Sequence, residues 1–382
     1  MKEYITELNG TVAVDDTILT VDCPTTAGSK TLENFTSLFE ASAVTKMKAA
    51  GYTVAGKTAV GEFGLDVLGE TCFNDAPLAA AASLVKNGEV KYALNVDLNG
   101  APRRAAAVTG VTFIKPTYGT VSRMGVIPCA CSGEQIGVTA KTASDAAALL
   151  SAIAGHDDGD GTSLPAEKYD YDLTLPMAGK RVGVIKELLV GENTGKVTAL
   201  ADKLKALGAE IKEVSFPEAE LAKTAWQVLL SAETCNNLSR YDGVKFGYRT
   251  KNYKNIGELY TNSRTEGLGL LSKAVILYGS DVLSKGRYDD CYDRALRARR
   301  AVREALDRLF ADNDMLLSPA CFKASYDKEE LKPLLSVYNE SLFTAFSSIT
   351  GTPAVITGGV QIAGDTLSDA LLLSAAAETE VL

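Results

Sequence analysis

This sequence predicts an α/β fold built in layers. Runs rich in β-branched residues, Val12 to Val21 and Arg181 to Ile185, alternate with segments of helical period, Ala41 to Ala50 and Ala143 to Ala154; this is the pattern that lays helices against a sheet. An apolar content of 46% in 382 residues, with a mean hydropathy of +0.03, is enough to bury a large core without disulfide staples. Length and composition fit one domain as well as two; a single domain over residues 1–382 is expected.

The elements follow from local signals. The helix beginning at Ala143 is expected to stop at Gly155, and the helix Lys196–Leu207 at Gly208, because glycine adopts the left-handed C-cap conformation without strain. After Gly208, residues Ala209 to Phe216 read as a strand. Between the two halves lies His156 to Leu173, HDDGDGTSLPAEKYDYDL, the most polar and turn-rich interval and the best candidate for an internal connection. Along Tyr288 to Phe310 the residues Cys291, Ala295, Ala298, Val302, Ala305 and Leu309 recur at helical steps. The arginines of that segment form i,i+4 pairs, Arg300 with Glu304 and Arg303 with Asp307, so a solvated helix face is expected rather than a nucleic-acid patch.

Charge and cysteine usage narrow the function. With 39 basic against 48 acidic residues the net charge is -9, which argues against a surface built to neutralise a phosphate backbone, and no direct nucleic-acid binding is expected. Seven cysteines and one histidine fit neither a disulfide framework nor a zinc site, so no metal or other cofactor is expected and a reducing, cytoplasmic compartment is favoured. The polar start MKEYITELNG has no apolar signal region, and no segment has the roughly 18 apolar residues that begin to suggest a membrane span.

The stretch Asp97 to Ser122, DLNGAPRRAAAVTGVTFIKPTYGTVS, carries the functional signal. It resembles the signature of the amidase-signature family, roughly Asp-Thr-Gly-Gly-Ser-Ile-Arg-x-Pro-Ala followed by Gly-x-Lys-Pro-Thr-Tyr-Gly-x-Val-Ser. Asp97, Gly100, Arg103 and Ala106 stand at matching positions, and Lys115 to Gly119 matches in full. The pieces SKTLENF (29–35), GEQIG (133–137), AGHD (154–157) and NLSRYDGVKFGYR (237–249) extend the resemblance over most of the chain, towards the branch that supplies the A-type subunits of glutamyl-tRNA(Gln)/aspartyl-tRNA(Asn) amidotransferases. The resemblance implies the amidase-signature fold, a mixed central β-sheet sandwiched between layers of α-helices.

It also implies a chemistry for which the residues are gone. Family members use a nucleophilic serine, a bridging serine that relays its proton and a neutral lysine as base, with backbone N–H groups before the nucleophile holding the oxyanion. The matching positions here are Ala101, Pro77 and Asp15. The interval from Pro77 to Ala101 equals the family's spacing between its two serines, so that alignment rests on an unbroken frame. Pro77 to Leu84, PLAAAASL, reads as a helix start. The remnant oxyanion loop is Asp97, Leu98, Asn99, Gly100 and Arg103; Asn99 replaces a glycine, and asparagine can preserve a turn that needs positive φ.

The resemblance places a remnant substrate pocket at Ala274, Val275 and Ser341, with Tyr241 and Asp242 of the RYDG motif. Ala274 and Val275 fall in the segment where relatives carry an arginine, and Ser341 where they carry an aspartate, the two charges that grip the ends of glutamine. Without them glutamine should no longer be held. Ser83, Ser132, Cys129 and Cys131 are the nearby candidates for a displaced nucleophile. Structural hydrogen bonding is expected of Ser132 and core packing of the cysteines, and His156 is expected outside any triad. Relatives carry an additional N-terminal helical segment and a longer C-terminal portion, which puts inherited partner surfaces in question. The reading that results is a non-catalytic paralogue acting by binding or scaffolding, with amidotransferase B- and C-like subunits or a catalytic A-type paralogue as possible partners. Its competitors are an active amidase or amidotransferase component with a relocated nucleophile, and a small-molecule sensor using the remnant pocket.

Overall fold

The computed structural model describes residues 3–69, 71–73, 79–326 and 333–381. Their strands are β1 (Tyr4–Glu7), β2 (Val12–Asp15), β3 (Val54–Thr58), β4 (Tyr92–Asp97), β5 (Thr112–Lys115), β6 (Gln135–Ala140), β7 (Arg181–Ile185), β8 (Glu210–Val214), β9 (Met315–Pro319), β10 (Ala354–Thr357) and β11 (Val360–Ala363). All join one mixed sheet in the order β1-β3-β2-β4-β6-β5-β10-β11-β9-β7-β8. The β2 strand runs parallel to both β3 and β4, while β4, β6, β5, β10, β11 and β9 alternate antiparallel.

Strand periodicity divides the core into two layers. Val12, Val14, Leu94, Leu317 and Val355 point into one apolar cluster beneath the helices Ser42–Ala49, Ala143–Ile153, Thr194–Ala206 and Asp369–Val381. Ala13, Ala93, Leu316 and Ile356 are on the other face. That face is covered by Ala80–Asn87 and Ala101–Thr109 at one end and by Ala219–Leu238 and Arg294–Asp312 at the other. The layered α/β expectation is met.

Several local expectations change. The strand expected over Val12 to Val21 ends at Asp15, because its carboxylate accepts from the N–H (2.8 Å) and hydroxyl (2.6 Å) of Thr17, an Asx turn that bends the chain out of the sheet. Gly208 has φ 91° after the helix Thr194–Ala206, as expected. Gly155 does not act as a left-handed cap: the helix before it closes on extended Ala154, and a Cβ at Gly155 would lie 2.3 Å from the carbonyl oxygen of Glu167. Close approach of the following connection and a φ of 125° together demand glycine there. Residues 154–180 contain no helix or strand. The arginine-rich helix begins with a π-helical turn, Tyr288–Asp293, before continuing as Arg294–Asp312, and its Arg300–Glu304 (2.8 Å) and Arg303–Asp307 pairs form as expected.

Candidate active site

Because β2 and β4 are parallel neighbours, Asp15 and Asp97 finish their strands at the same edge of the sheet. The chain leaves β4 through Leu98, Asn99 and Gly100 and enters the helix Ala101–Thr109 at once. Asp15 and Ala101 therefore line one cavity, with Asn95, Arg104 and Thr139 as other polar or charged walls. Its volume is about 60 Å³, room for about four to six water molecules and well below the roughly 300 Å³ at which ligand pockets begin.

Most of the cavity's polar groups are satisfied, the buried Nε of Arg104 being the exception, with no hydrogen-bond partner among the described residues. Asp15 is 4% exposed, and besides Thr17 it accepts from the N–H of Val96 at 3.2 Å; burial pushes its pKa above the ordinary aspartate value despite those bonds. Thr139 donates its hydroxyl to the Asn95 side chain at 2.8 Å. A methyl group stands at Ala101, so no oxygen faces Asp15 from that position. The third matching position, Pro77, lies outside the described residues. The expected helix start there is revised in part: the helix runs Ala80–Asn87, and its N-cap, Ala79, is held at φ 57°. A left-handed alanine costs roughly 1–2 kcal/mol, so this loop holds an alanine in a conformation that suits glycine.

The signature loop is held by buried electrostatics. Arg103 is fully buried and grips Asp97 with two bonds, Nε to Oδ2 at 2.7 Å and Nη2 to Oδ1 at 2.9 Å. It also donates to the Thr344 carbonyl (3.0 Å), Gln361 Oε1 (3.1 Å), Ser348 Oγ (2.8 Å) and Ser347 Oγ. Leu98 packs in the core. The positive φ expected at Asn99 falls instead on Gly100, at 97°, where a Cβ would come within 2.4 Å of Thr344. Asn99 serves through its side chain. It donates to the Leu65 carbonyl (3.2 Å) and accepts from Trp226 Nε1 (3.0 Å) and Gln227 Nε2 (3.2 Å).

Those bonds make Asn99 part of a wall. On its far side, Leu65, Gln227, Ala274 and Val275 line a separate, mainly apolar cavity of about 520 Å³. Ser341 is buried behind it, accepting from Gln227 Nε2 at 3.1 Å and donating to the Tyr338 carbonyl at 2.8 Å. Tyr241 and Asp242 are not brought to either cavity. Tyr241 stacks on Phe63 at 5.7 Å and lines a third groove, while Asp242 accepts from the N–H groups of Val244 and Lys245 (2.8 and 3.0 Å) and closes a turn. Sequence reasoning misses Arg104, Gln227 and Trp226. Only Arg104 carries a signal, as the residue beside the signature arginine.

The candidate replacement nucleophiles are occupied or suppressed. Ser132 donates both its N–H (3.0 Å) and its hydroxyl to Glu233, a structural role. Burial, and then Glu134, push the thiols of Cys129 and Cys131 upward in pKa, away from thiolate. Ser83 does not line the cavity of Ala101. His156 binds the Leu164 carbonyl (3.0 Å) and Asp158 (3.2 Å) within its own loop. Among the described residues no cluster of three or more histidine, cysteine, aspartate or glutamate side chains could hold a metal ion, and no helix is long and apolar enough to cross a membrane.

Comparison with known proteins agrees with this fold. The family profile described as Amidase matches residues 6–74 and 80–373. The chain is 36% identical over 363 residues to the glutamyl-tRNA(Gln) amidotransferase A-type subunit of Halothermothrix orenii, covering 90% of this chain and 76% of that one. Against the corresponding protein of Listeria monocytogenes it is 36% identical over 394 residues, covering 96% and 82%. Among solved structures, the Thermotoga maritima member of the same subunit type superposes with a TM-score of 0.80 at 28% identity, covering 97% and 84%. Peptide amidase from Stenotrophomonas maltophilia gives 0.77 at 25% identity, covering 97% and 82%. The chain belongs to the amidase-signature family, with A-type amidotransferase subunits among its relatives.

Proposed function

We propose that this protein is a non-catalytic paralogue of the A-type amidotransferase subunits, working as a binding or scaffold component. One observation carries the reading: Asp15 and Ala101 face the same small cavity, so the position of the attacking oxygen holds a methyl group and the position of the base holds a carboxylate. Acyl transfer needs a nucleophile whose proton can be taken. A carboxylate opposite a methyl has no proton to take. B- and C-like subunits, or a catalytic A-type paralogue, are the partners this reading implies.

The test has two arms. Purified protein incubated with glutamine, asparagine and simple amides should release no ammonia above buffer, and the chain should co-purify from its native source with B- or C-like chains. Labelling of a serine by a fluorophosphonate probe, with matching amide turnover, would overturn the non-catalytic assignment; isolation without either chain or an A-type paralogue would overturn the scaffold. A second reading, a small-molecule sensor, is favoured by the 520 Å³ cavity at Ala274 and Val275. Its size lies in the usual ligand range, and a thermal-shift screen against a metabolite panel tests it.

A further inference from the structure

Most arginines of the arginine-rich helix are neutralised. Arg294, Arg297 and Arg300 each pair with a carboxylate four residues away along their own helix, and Arg303 pairs with Asp307 and Asp365. Elsewhere the chain leaves cations without counter-charges. The segments 30–35 and 240–251 form opposite walls of a groove of about 770 Å³, lined by Lys30, Arg240, Lys245, Arg249 and Lys251. Among the described residues none of these five forms an ion pair. Glu33 is the one carboxylate in the described lining. In a protein with 48 acidic and 39 basic residues, like charges gathered in a concave site raise the local potential and concentrate an anion.

The groove is also shaped. Tyr248 donates its N–H to the Thr31 carbonyl at 2.8 Å, tying one wall to the other. Arg240 is held by Asn237, Nε to the carbonyl at 2.8 Å and Nη2 to Oδ1 at 2.9 Å, which leaves its other N–H groups free for an incoming acceptor. The turn closed by Asp242 carries Phe246 outward, with 61% of its surface exposed. An exposed ring above unpaired cations offers a stacking face and charge in one place.

We infer that this groove binds a nucleoside diphosphate, free or as the 5′-diphosphate end of an RNA strand, with its phosphates on the cations at 240–251 and its base on Phe246. A simple inorganic anion would leave Phe246 without a role, and a long duplex would meet the net charge of -9 outside the groove. Arginine forks match phosphate oxygens two at a time, and the Glu33 carboxylate can accept from a sugar hydroxyl. The cavity volume is in the range that encloses a ligand of this size.

Calorimetric titration of the purified chain with ADP, GDP, CDP and UDP at physiological ionic strength tests this. At least one should bind at one site per chain, with pyrophosphate weaker and adenosine weaker still. Lys245→Glu with Lys251→Glu should lower that affinity at least about tenfold, because each removed phosphate contact weakens binding electrostatically; neither ammonium group forms an ion pair in the fold, and the melting temperature should stay unchanged. Lys285→Glu, an exposed control, should bind as the parent does. Phe246→Ala should weaken nucleotide binding about fivefold or more while leaving pyrophosphate within about twofold. A five-nucleotide RNA bearing a 5′-diphosphate that binds more tightly than the free nucleotide would assign the strand end; equal or weaker binding would assign the free ligand. Failure of all four nucleotides overturns the inference, as does undiminished binding in the double variant, or tighter binding of a glutamate- and phenylalanine-rich peptide, which would make the groove a protein interface.

Discussion

Replacing Arg103 by methionine should be the most damaging single change near the signature loop. The substitution preserves bulk but leaves Asp97, fully buried, without the two bonds at 2.7 and 2.9 Å that neutralise it. Breaking a buried ion pair from one side costs about 3–5 kcal/mol, since a charge is left unpaired in a medium that solvates it poorly. Unfolding entropy near 2.1 cal/mol/K per residue over 382 residues gives about 0.8 kcal/mol/K. The melting temperature should therefore fall by about 4–6 °C. The decisive comparison is the double variant Asp97→Leu, Arg103→Met, which removes both charges and should recover about 2 kcal/mol or more relative to Arg103→Met alone. Calorimetry on the four proteins reads the cycle directly. A loss below about 1 kcal/mol for the single variant, or strict additivity in the double, would show that Asp97 and Arg103 do not hold the loop as argued.

Other substitutions probe different layers of the same account. Ala101→Ser alone should produce no amidase turnover, because the new hydroxyl lacks a relay and an amine base; clear turnover would mean a working base is already present. Ala79→Gly should stabilise the protein by about 1 kcal/mol in urea unfolding by relieving the left-handed alanine, and a destabilised variant would refute the strain at φ 57°. For Asp160, burial opposes ionisation, but bonds from the Arg123 N–H (2.7 Å) and from Thr162 (2.9 and 2.7 Å) outweigh it and hold the pKa below the ordinary aspartate value. A depressed carboxylate stabilises above its unfolded pKa, so the stability gap between parent and Asp160→Asn should be full near pH 6–7. It should begin to narrow as the pH falls below about 4 and go on narrowing through the lower pKa of the folded carboxyl; a gap that does not narrow at all below about pH 4 would contradict the assignment. Of the seven cysteines, Cys23, Cys72, Cys129 and Cys321 are buried, and burial pushes the Cys321 thiol up to about 11. No more than three thiols should react quickly with a disulfide reagent at pH 8, and all seven should react in denaturant.

What can be read from the sequence depends on distance along the chain. Asp97, Ala101 and Arg103 are legible together because one contiguous motif carries them, and parallel β2 delivers Asp15 to the same sheet edge. Asn99 is legible as a lost glycine, yet its use is hidden, since Trp226 and Gln227 reach it from a helix far along the chain. Tyr241 and Asp242 are expected at the substrate pocket on their motif alone, and the structure does not bring them there. Their loop folds against residues 30–35 instead, and nothing local in RYDG announces that. The early end of β2 is the reverse case, for Asp15 followed by Thr17 is an Asx-turn signal that the β-branched run conceals. The unpaired groove cannot be found by counting charge, because a net of -9 averages over it.

The position of β10 and β11 in the sheet has a consequence for synthesis. These strands, residues 354–363, are inserted between β5 and β9, so they alone join the sheet formed by the first 140 residues to the one formed by β7, β8 and β9. Until residues 354–363 have been made, β5 and β9 have no partner on the sides that β10 and β11 fill, so two open edges add to the outer edges β1 and β8. Open edges recruit strands from neighbouring chains, and pairings this distant in sequence form slowly. These two strands are thus the rivet of the sheet, and a chain in which they have yet to pair exposes β5 and β9 to its own copies.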